Sequence, residues 1–227
     1  MAIRQARAAL GRVFFQRCFY LFVVLLVLIT VVPFIEPTPS GRLIVSLVNA
    51  FVVISAVAAV GRNVLSFVIA LLLAVPATVF HYLGVATDDI AALALSWMFG
   101  AALCAATVVY LLLYVFQRDV MTADKLYGAA AAYLLIGVLW AYIYALTDQY
   151  YPGSFSVSVL PRGPATVVDF MYFSFTVLTS TGFGDIVPIS RQARAVCVVE
   201  QLIGALFVAI LIARLAGVYP PSRRERG

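Results

Sequence analysis

Long apolar runs, each closed by a short cluster of charged, proline or glycine residues, divide the chain from Cys18 to Val218. The first run is Cys18–Ile35, and the turn after it, Glu36 to Arg42, holds Pro37, Pro39 and Gly41. The second run is Leu43–Val60. Only Gly61-Arg62-Asn63 separates it from the third, Val64 to Leu83, so these two predicted helices form an antiparallel pair. Pro76 predicts a kink in the third. Asp88-Asp89 precedes the fourth run, Ile90–Phe116, and a polar connector, Arg118 to Lys125, precedes the fifth, Tyr127–Leu146. A hydrocarbon core about 30 Å thick takes roughly 20 apolar residues to cross as a helix, and each of these runs is close to that length.

The pattern then changes. Asp148 to Pro164 is polar and rich in Pro, Gly and Ser, and the next apolar stretch, Ala165–Thr179, has only 15 residues. That is too short to cross and predicts a re-entrant helix. Gly182-Phe183-Gly184-Asp185 ends it, and a last long run covers Ala193–Val218. The expectation is an all-α membrane protein with six transmembrane helices and one re-entrant segment. Its parts would be a basic N-terminus (1–17), a four-helix membrane domain (18–117), a connector (118–126), a second membrane domain (127–218) and a short tail (219–227). The second membrane domain would contain an outer helix (127–147), a short helix (165–179), a loop (180–184) and an inner helix (193–218).

Composition narrows the class. Hydrophobic residues make up 64% and charged residues 11% of the 227. An ordinary soluble domain carries about 25% charged residues, so a water-facing surface is excluded as the main surface. The net charge is +5, but the cations sit at the ends of apolar runs, and nucleic acid is not expected as a partner. With the N-terminus inside, eleven cations face inward (Arg4, Arg7, Arg12, Arg17, Arg62, Arg118, Lys125, Arg214, Arg223, Arg224, Arg226) and four outward (Arg42, Arg162, Arg191, Arg194). That asymmetry predicts a cell (plasma or inner) membrane protein with both termini cytoplasmic. The basic N-terminus also offers a contact for anionic lipid. The first run is long for a signal sequence, and no small-residue cleavage site follows it, so it is expected to be retained. Cys18, Cys104 and Cys197 lack metal-ligand spacing. No nucleophile or metalloprotease motif is present, and His81 is the lone histidine, so no enzyme is expected. No organic cofactor is expected either.

The candidate chemistry lies in the short helix and its loop. Irregular backbone at membrane depth is tolerated only where protein buries it or water lines it. Gly182 and Gly184 can take left-handed backbone angles, and alternating them with ordinary residues can turn successive carbonyls to one side. Four copies would stack these oxygens into rings that replace the hydration shell of a cation. Pro164 suits the start of the short helix, and Asp169 suits its positive end. Its carbonyl end near Thr179 would favour a cation.

The segment Asp169-Phe-Met-Tyr-Phe-Ser-Phe-Thr-Val-Leu-Thr-Ser-Thr-Gly-Phe-Gly-Asp-Ile-Val-Pro188 resembles the pore loop of potassium channels, whose pattern is Thr-x-x-Thr-Val-Gly-Tyr-Gly-Asp. The resemblance extends over roughly residues 125–218. It implies a selectivity filter at Ser180, Thr181, Gly182, Phe183 and Gly184, with potassium held through Ser180, Thr181, Gly182 and Phe183. It further implies a homotetramer, filter support from Asp185, Tyr172 and Thr176, a Tyr172–Asp185 hydrogen bond, and a hinge at Gly204, where a glycine can equally serve close helix packing. Counting helically from that hinge, Ala205, Val208, Ile212 and Ala216 share a face and would line an inner cavity. Ser180 stands for the usual Thr, Thr181 for Val and Phe183 for Tyr. The last change removes a phenolic hydrogen bond and leads to an expectation of fast filter inactivation.

Two features limit the reading. From Ile90 to Gln117 there is no Arg or Lys, whereas steep voltage gating draws on 3–4 charges per subunit, so no conventional voltage sensor is expected. Nine residues follow Val218, and regulation is expected without a cytosolic sensing domain. Glu200, an acid inside an apolar run, reads either as a brace or pH-sensitive group behind the filter or as a protonated interface carboxyl. The competing functional classes are a non-selective cation channel of the same fold and, more remotely, a membrane transporter.

Overall fold

The computed structural model describes residues 17–35, 64–117, 122–158 and 165–218. The predicted second span (Leu43–Val60), Pro164, and Arg4, Arg7, Arg12, Arg42, Arg62, Arg118, Arg162, Arg223, Arg224 and Arg226 lie outside these residues. The elements in order are α1 (Arg17–Ile35), α2 (Val64–Thr87), α3 (Ile90–Val115), α4 (Ala123–Tyr150), β1 (Phe155–Val157), α5 (Val167–Leu178), β2 (Ile186–Pro188) and α6 (Arg191–Val218). Among the described residues, α2, α3, α4 and α6 are long and apolar enough to cross a membrane, and α1 and α5 are shorter apolar helices.

The helices run longer than their apolar cores. The third predicted span reaches Thr87 rather than Leu83, and the outer helix runs 123–150 rather than 127–147. Hydroxyls allow this. Thr87 Oγ1 donates to the Leu83 carbonyl at 2.7 Å, and Thr147 Oγ1 to that of Ile143 at 2.7 Å, so each polar group is satisfied within its own helix. The predicted connector 118–126 is shortened accordingly, because Thr122 caps α4 through the Lys125 amide. The inner helix starts at Arg191 rather than 193, with the Ser190 hydroxyl accepting from the Ala193 amide at 3.1 Å.

Helix α4 is the centre of the molecule. It packs against α1, α3, α5 and α6, and small residues on it (Ala129, Ala131, Ala132, Ala141, Ala145) are buried, which brings helix backbones close together. The start of α1 is tied to the start of α4, where the Cys18 amide donates to Asp124 Oδ1 at 3.1 Å. The end of α6 is tied to the end of α3, where Arg214 donates to the Gln117 carbonyl at 2.7 Å. Behind α5 lies an aromatic core in which the rings of Tyr144, Phe155, Phe170 and Phe173 pack with neighbouring centroids 5.0–6.4 Å apart.

The sequence pattern gave no strands. The structure adds a small antiparallel ribbon, with Phe155 opposite Pro188, Ser156 opposite Val187 and Val157 opposite Ile186. Three-residue segments are too short to register as alternation. A cavity of about 350 Å³ lies between α1, α2, α3, α4 and the first half of α5, and His81, Trp97, Tyr142 and Met171 are among its walls.

Candidate pore and selectivity filter

The short helix α5 runs 167–178, slightly inside the expected 165–179. Thr166 caps it. The Asp169 amide donates to Thr166 Oγ1 at 3.3 Å, and the Thr166 amide donates back to Asp169 Oδ2 at 2.7 Å. This reciprocal box satisfies two otherwise orphaned amides. The Thr-x-x-Asp spacing was visible in the sequence, but Pro164 drew attention to an earlier start.

Past Thr179 the chain leaves the helix in an alternating conformation. Ser180, Gly182 and Gly184 have φ of 57°, 55° and 81°, so every second residue is left-handed. Glycine adopts this freely. For Ser180 it costs roughly 1–2 kcal/mol, a strain of the kind that persists at functional sites. The Thr181 and Gly182 amides both turn back to the Thr176 carbonyl, at 2.8 and 3.2 Å. In a planar trans peptide the C=O points opposite to the next N–H, and the described residues contain no cis bond. The carbonyls of Ser180 and Thr181 therefore point away from α5, toward the side on which residues 179–184 are exposed. Thr179 and Thr181 share a hydroxyl–hydroxyl hydrogen bond at 2.8 Å.

Thr176 thus touches residues 181 and 182 of the candidate filter through its backbone. Its own hydroxyl donates to Phe173 O at 2.8 Å within α5. Tyr172 lies beside Asp185, with which its hydroxyl interacts, and its ring runs parallel to that of Phe183 with centroids 6.3 Å apart. Asp185 Oδ1 also accepts the Ile186 amide at 3.0 Å. The far end of the segment is pinned by the ribbon. The Ser158 amide and hydroxyl both donate to the Asp185 carbonyl, at 2.9 and 3.0 Å. Ser154 anchors the ribbon in turn. It donates its amide to Asp148 at 3.2 Å, and its carbonyl accepts the Ile189 amide at 2.8 Å.

Helix α6 crosses the end of α5 at Gly204, where an added Cβ would collide with the Leu178 carbonyl oxygen. The Tyr133 hydroxyl donates to that same carbonyl at 3.2 Å. Gly204 is thus a close-packing point. The buried stripe of α6 is Ala193, Cys197, Glu200 and Gly204. Ala205, Val208, Ile212 and Ala216 all lie on its exposed side, beside Leu202, Leu206 and Ile210. Ser154, Thr166, Tyr133, Ser174 and Tyr144 hold this region together, and sequence reading did not single them out. Only Thr166 left a local signal.

No curated protein and no solved structure matches the chain significantly. A protein-family model described as "Ion channel" matches residues 97–219, from within α3 to the end of α6. That is more than half the chain, and it begins earlier than the 125–218 over which the resemblance was read. The chain therefore belongs to the ion channel family with the two-transmembrane potassium-channel pore, and it is a membrane protein.

Proposed function

We propose that this protein is the subunit of a homotetrameric, potassium-selective channel of the cell membrane, with six transmembrane helices, α5 as re-entrant pore helix and cytoplasmic termini. Potassium would pass along a shared axis and lose its water to the carbonyls of Ser180, Thr181, Gly182 and Phe183. The observation that carries this reading is the alternation of left-handed residues at 180, 182 and 184, with the Thr181 and Gly182 amides folded back onto Thr176. Such a strand presents oxygens along one side, and oxygen rings are the means by which a pore replaces a cation's hydration. One copy cannot enclose a path, and closed fourfold symmetry supplies the other three walls.

The exposed faces of α6 support the same assembly. They are almost wholly apolar, with Leu202, Leu206 and Ile212 each 57–60% exposed in the single chain. Neighbouring copies and lipid would cover them, and the face with Ala205, Val208, Ile212 and Ala216 would line the inner cavity. Arg17, Lys125 and Arg214 belong to the end of the bundle that would face the cytoplasm, with Arg191 and Arg194 at the other.

The test is planar-bilayer recording of the purified protein under opposed potassium and sodium gradients. The reversal potential is expected to follow the potassium gradient. A reversal near zero under equal opposed gradients would instead favour the non-selective cation channel.

A further inference from the structure

Glu200 lies in the middle of α6, has no solvent exposure, and takes no part in the conduction path proposed above. Three helices meet at its carboxyl. From α4, the Tyr144 hydroxyl donates to Oε2. From α5, the Ser174 hydroxyl lies against Oε1. Ser174 Oγ is also 2.8 Å from the Gly137 carbonyl oxygen of α4. The carboxyl's partners are two hydroxyls, with no cation among them; the other titratable groups near it are Cys197 of α6, which bonds Tyr144, and Tyr133 of α4. Because Glu200 is buried within its own chain, a second copy cannot reach it.

The proton count decides the chemical state. A serine hydroxyl carries one proton, and a carbonyl oxygen carries none. Tyr144 spends its proton on Oε2. If Glu200 is ionised, Ser174 faces two acceptors with a single proton, and one contact is left as oxygen against oxygen. If Glu200 is protonated, every contact has a proton. Glu200 then donates to Ser174 Oγ, Ser174 donates to Gly137 O, and Tyr144 donates to Glu200 Oε2. The neutral form also avoids an unpaired buried charge, which costs several kcal/mol.

We propose that Glu200 is a neutral, proton-donating clamp that fixes the pore helix against both the outer and the inner helix. It acts as a positioning residue and not as an ion ligand. The route to the filter is short. On α5, Ser174 is two residues before Thr176, whose carbonyl holds the Thr181 and Gly182 amides. One turn further along α6, Gly204 packs on the Leu178 carbonyl, so α6 fixes α5 at two points. The effect on conduction rests on the channel reading, whereas the protonation state does not.

The experiment has two arms on the full-length protein in liposomes. Infrared spectra are recorded with glutamate carboxyls carbon-13 labelled. The chain has three glutamates, Glu36, Glu200 and Glu225, and the label separates them from aspartate. At neutral pH the native protein is expected to show the carbonyl stretch of a protonated acid, and Glu200→Gln to lose it. If the native spectrum contains only ionised carboxylate, the proposal is overturned, whichever ion the protein conducts.

In the second arm, potassium flux is compared for Glu200→Gln, Glu200→Leu and Ser174→Ala, with oligomer size and thermal midpoint measured alongside. Gln keeps a donor and an acceptor and is expected to keep flux and the potassium-to-sodium ratio. Leu and Ala break the link. With a buried partner left unpaired, flux is expected to fall about tenfold or the ion ratio to drop. A Gln variant as impaired as the Leu variant would overturn the proposal. So would an assembled Leu variant with native flux and selectivity.

Discussion

At the residue scale, the proposed filter segment is governed by backbone angle and not by space. A Cβ on Gly184 would meet nothing within 4 Å in the single chain, yet the residue sits at φ 81°. Gly184→Ala is therefore expected to leave the subunit folded and assembled while moving the loop away from this angle, at a cost of about 1–2 kcal/mol. A flux assay on protein of verified oligomer size should show conduction lost. Gly204 is the converse case, with permissible angles and no room. Gly204→Ala must push α6 off the Leu178 carbonyl. Overpacking of this kind costs about 1–3 kcal/mol, and the thermal midpoint should fall accordingly. A hinge role alone would leave the midpoint in place and change only the open probability. The left-handed backbone at Gly182 and Gly184 was legible in the sequence, because glycine is the residue that adopts it freely. Close packing at Gly204 was an open alternative in the sequence, but its partner, the Leu178 carbonyl, was not legible, since it depends on which backbone lies opposite.

At the scale of elements, the apolar runs identified each described helix, because a segment with no water to meet must satisfy its backbone internally. The ends were less legible. The apolar runs stop at Leu83 and Leu146, yet Thr87 and Thr147 bond within their own helices, and Asp148, read as the start of a polar stretch, accepts the Ser154 amide from inside α4. The Glu200 cluster shows the same limit from another side. Glu200 was conspicuous alone, but its partners Tyr144 and Ser174 lie 56 and 26 residues away, and no local pattern joins them. The pore helix offers a clean local test. Thr166→Ala removes the side-chain half of its capping box, and such losses cost typically about 1 kcal/mol. A small drop in thermal midpoint is expected, and reduced occupancy of the conducting state should accompany it, since α5 carries Thr176 and with it the filter amides. An unchanged midpoint would mean that the cap contributes nothing to holding α5.

At the scale of the whole molecule, α4 joins a membrane domain (α1–α3) to the segments that form the proposed pore, and Arg214 bonds the end of α6 to Gln117 after α3. Yet α3 carries no charge from Ile90 to Val115. Moving one charge through 100 mV is worth about 2.3 kcal/mol, and α3 has none to move. Open probability is expected to vary only shallowly between strongly negative and positive potentials, and a steep curve would refute an uncharged membrane domain. The claim on which the rest depends is that residues 180–184 of four copies meet around one axis and hold dehydrated monovalent cations. Anomalous diffraction from crystals of the assembled protein grown with rubidium or thallium tests it most directly. Peaks are expected on a fourfold axis, in line with the carbonyls of Ser180, Thr181, Gly182 and Phe183. A filter segment facing lipid or a closed protein interior, away from any shared axis, would contradict it.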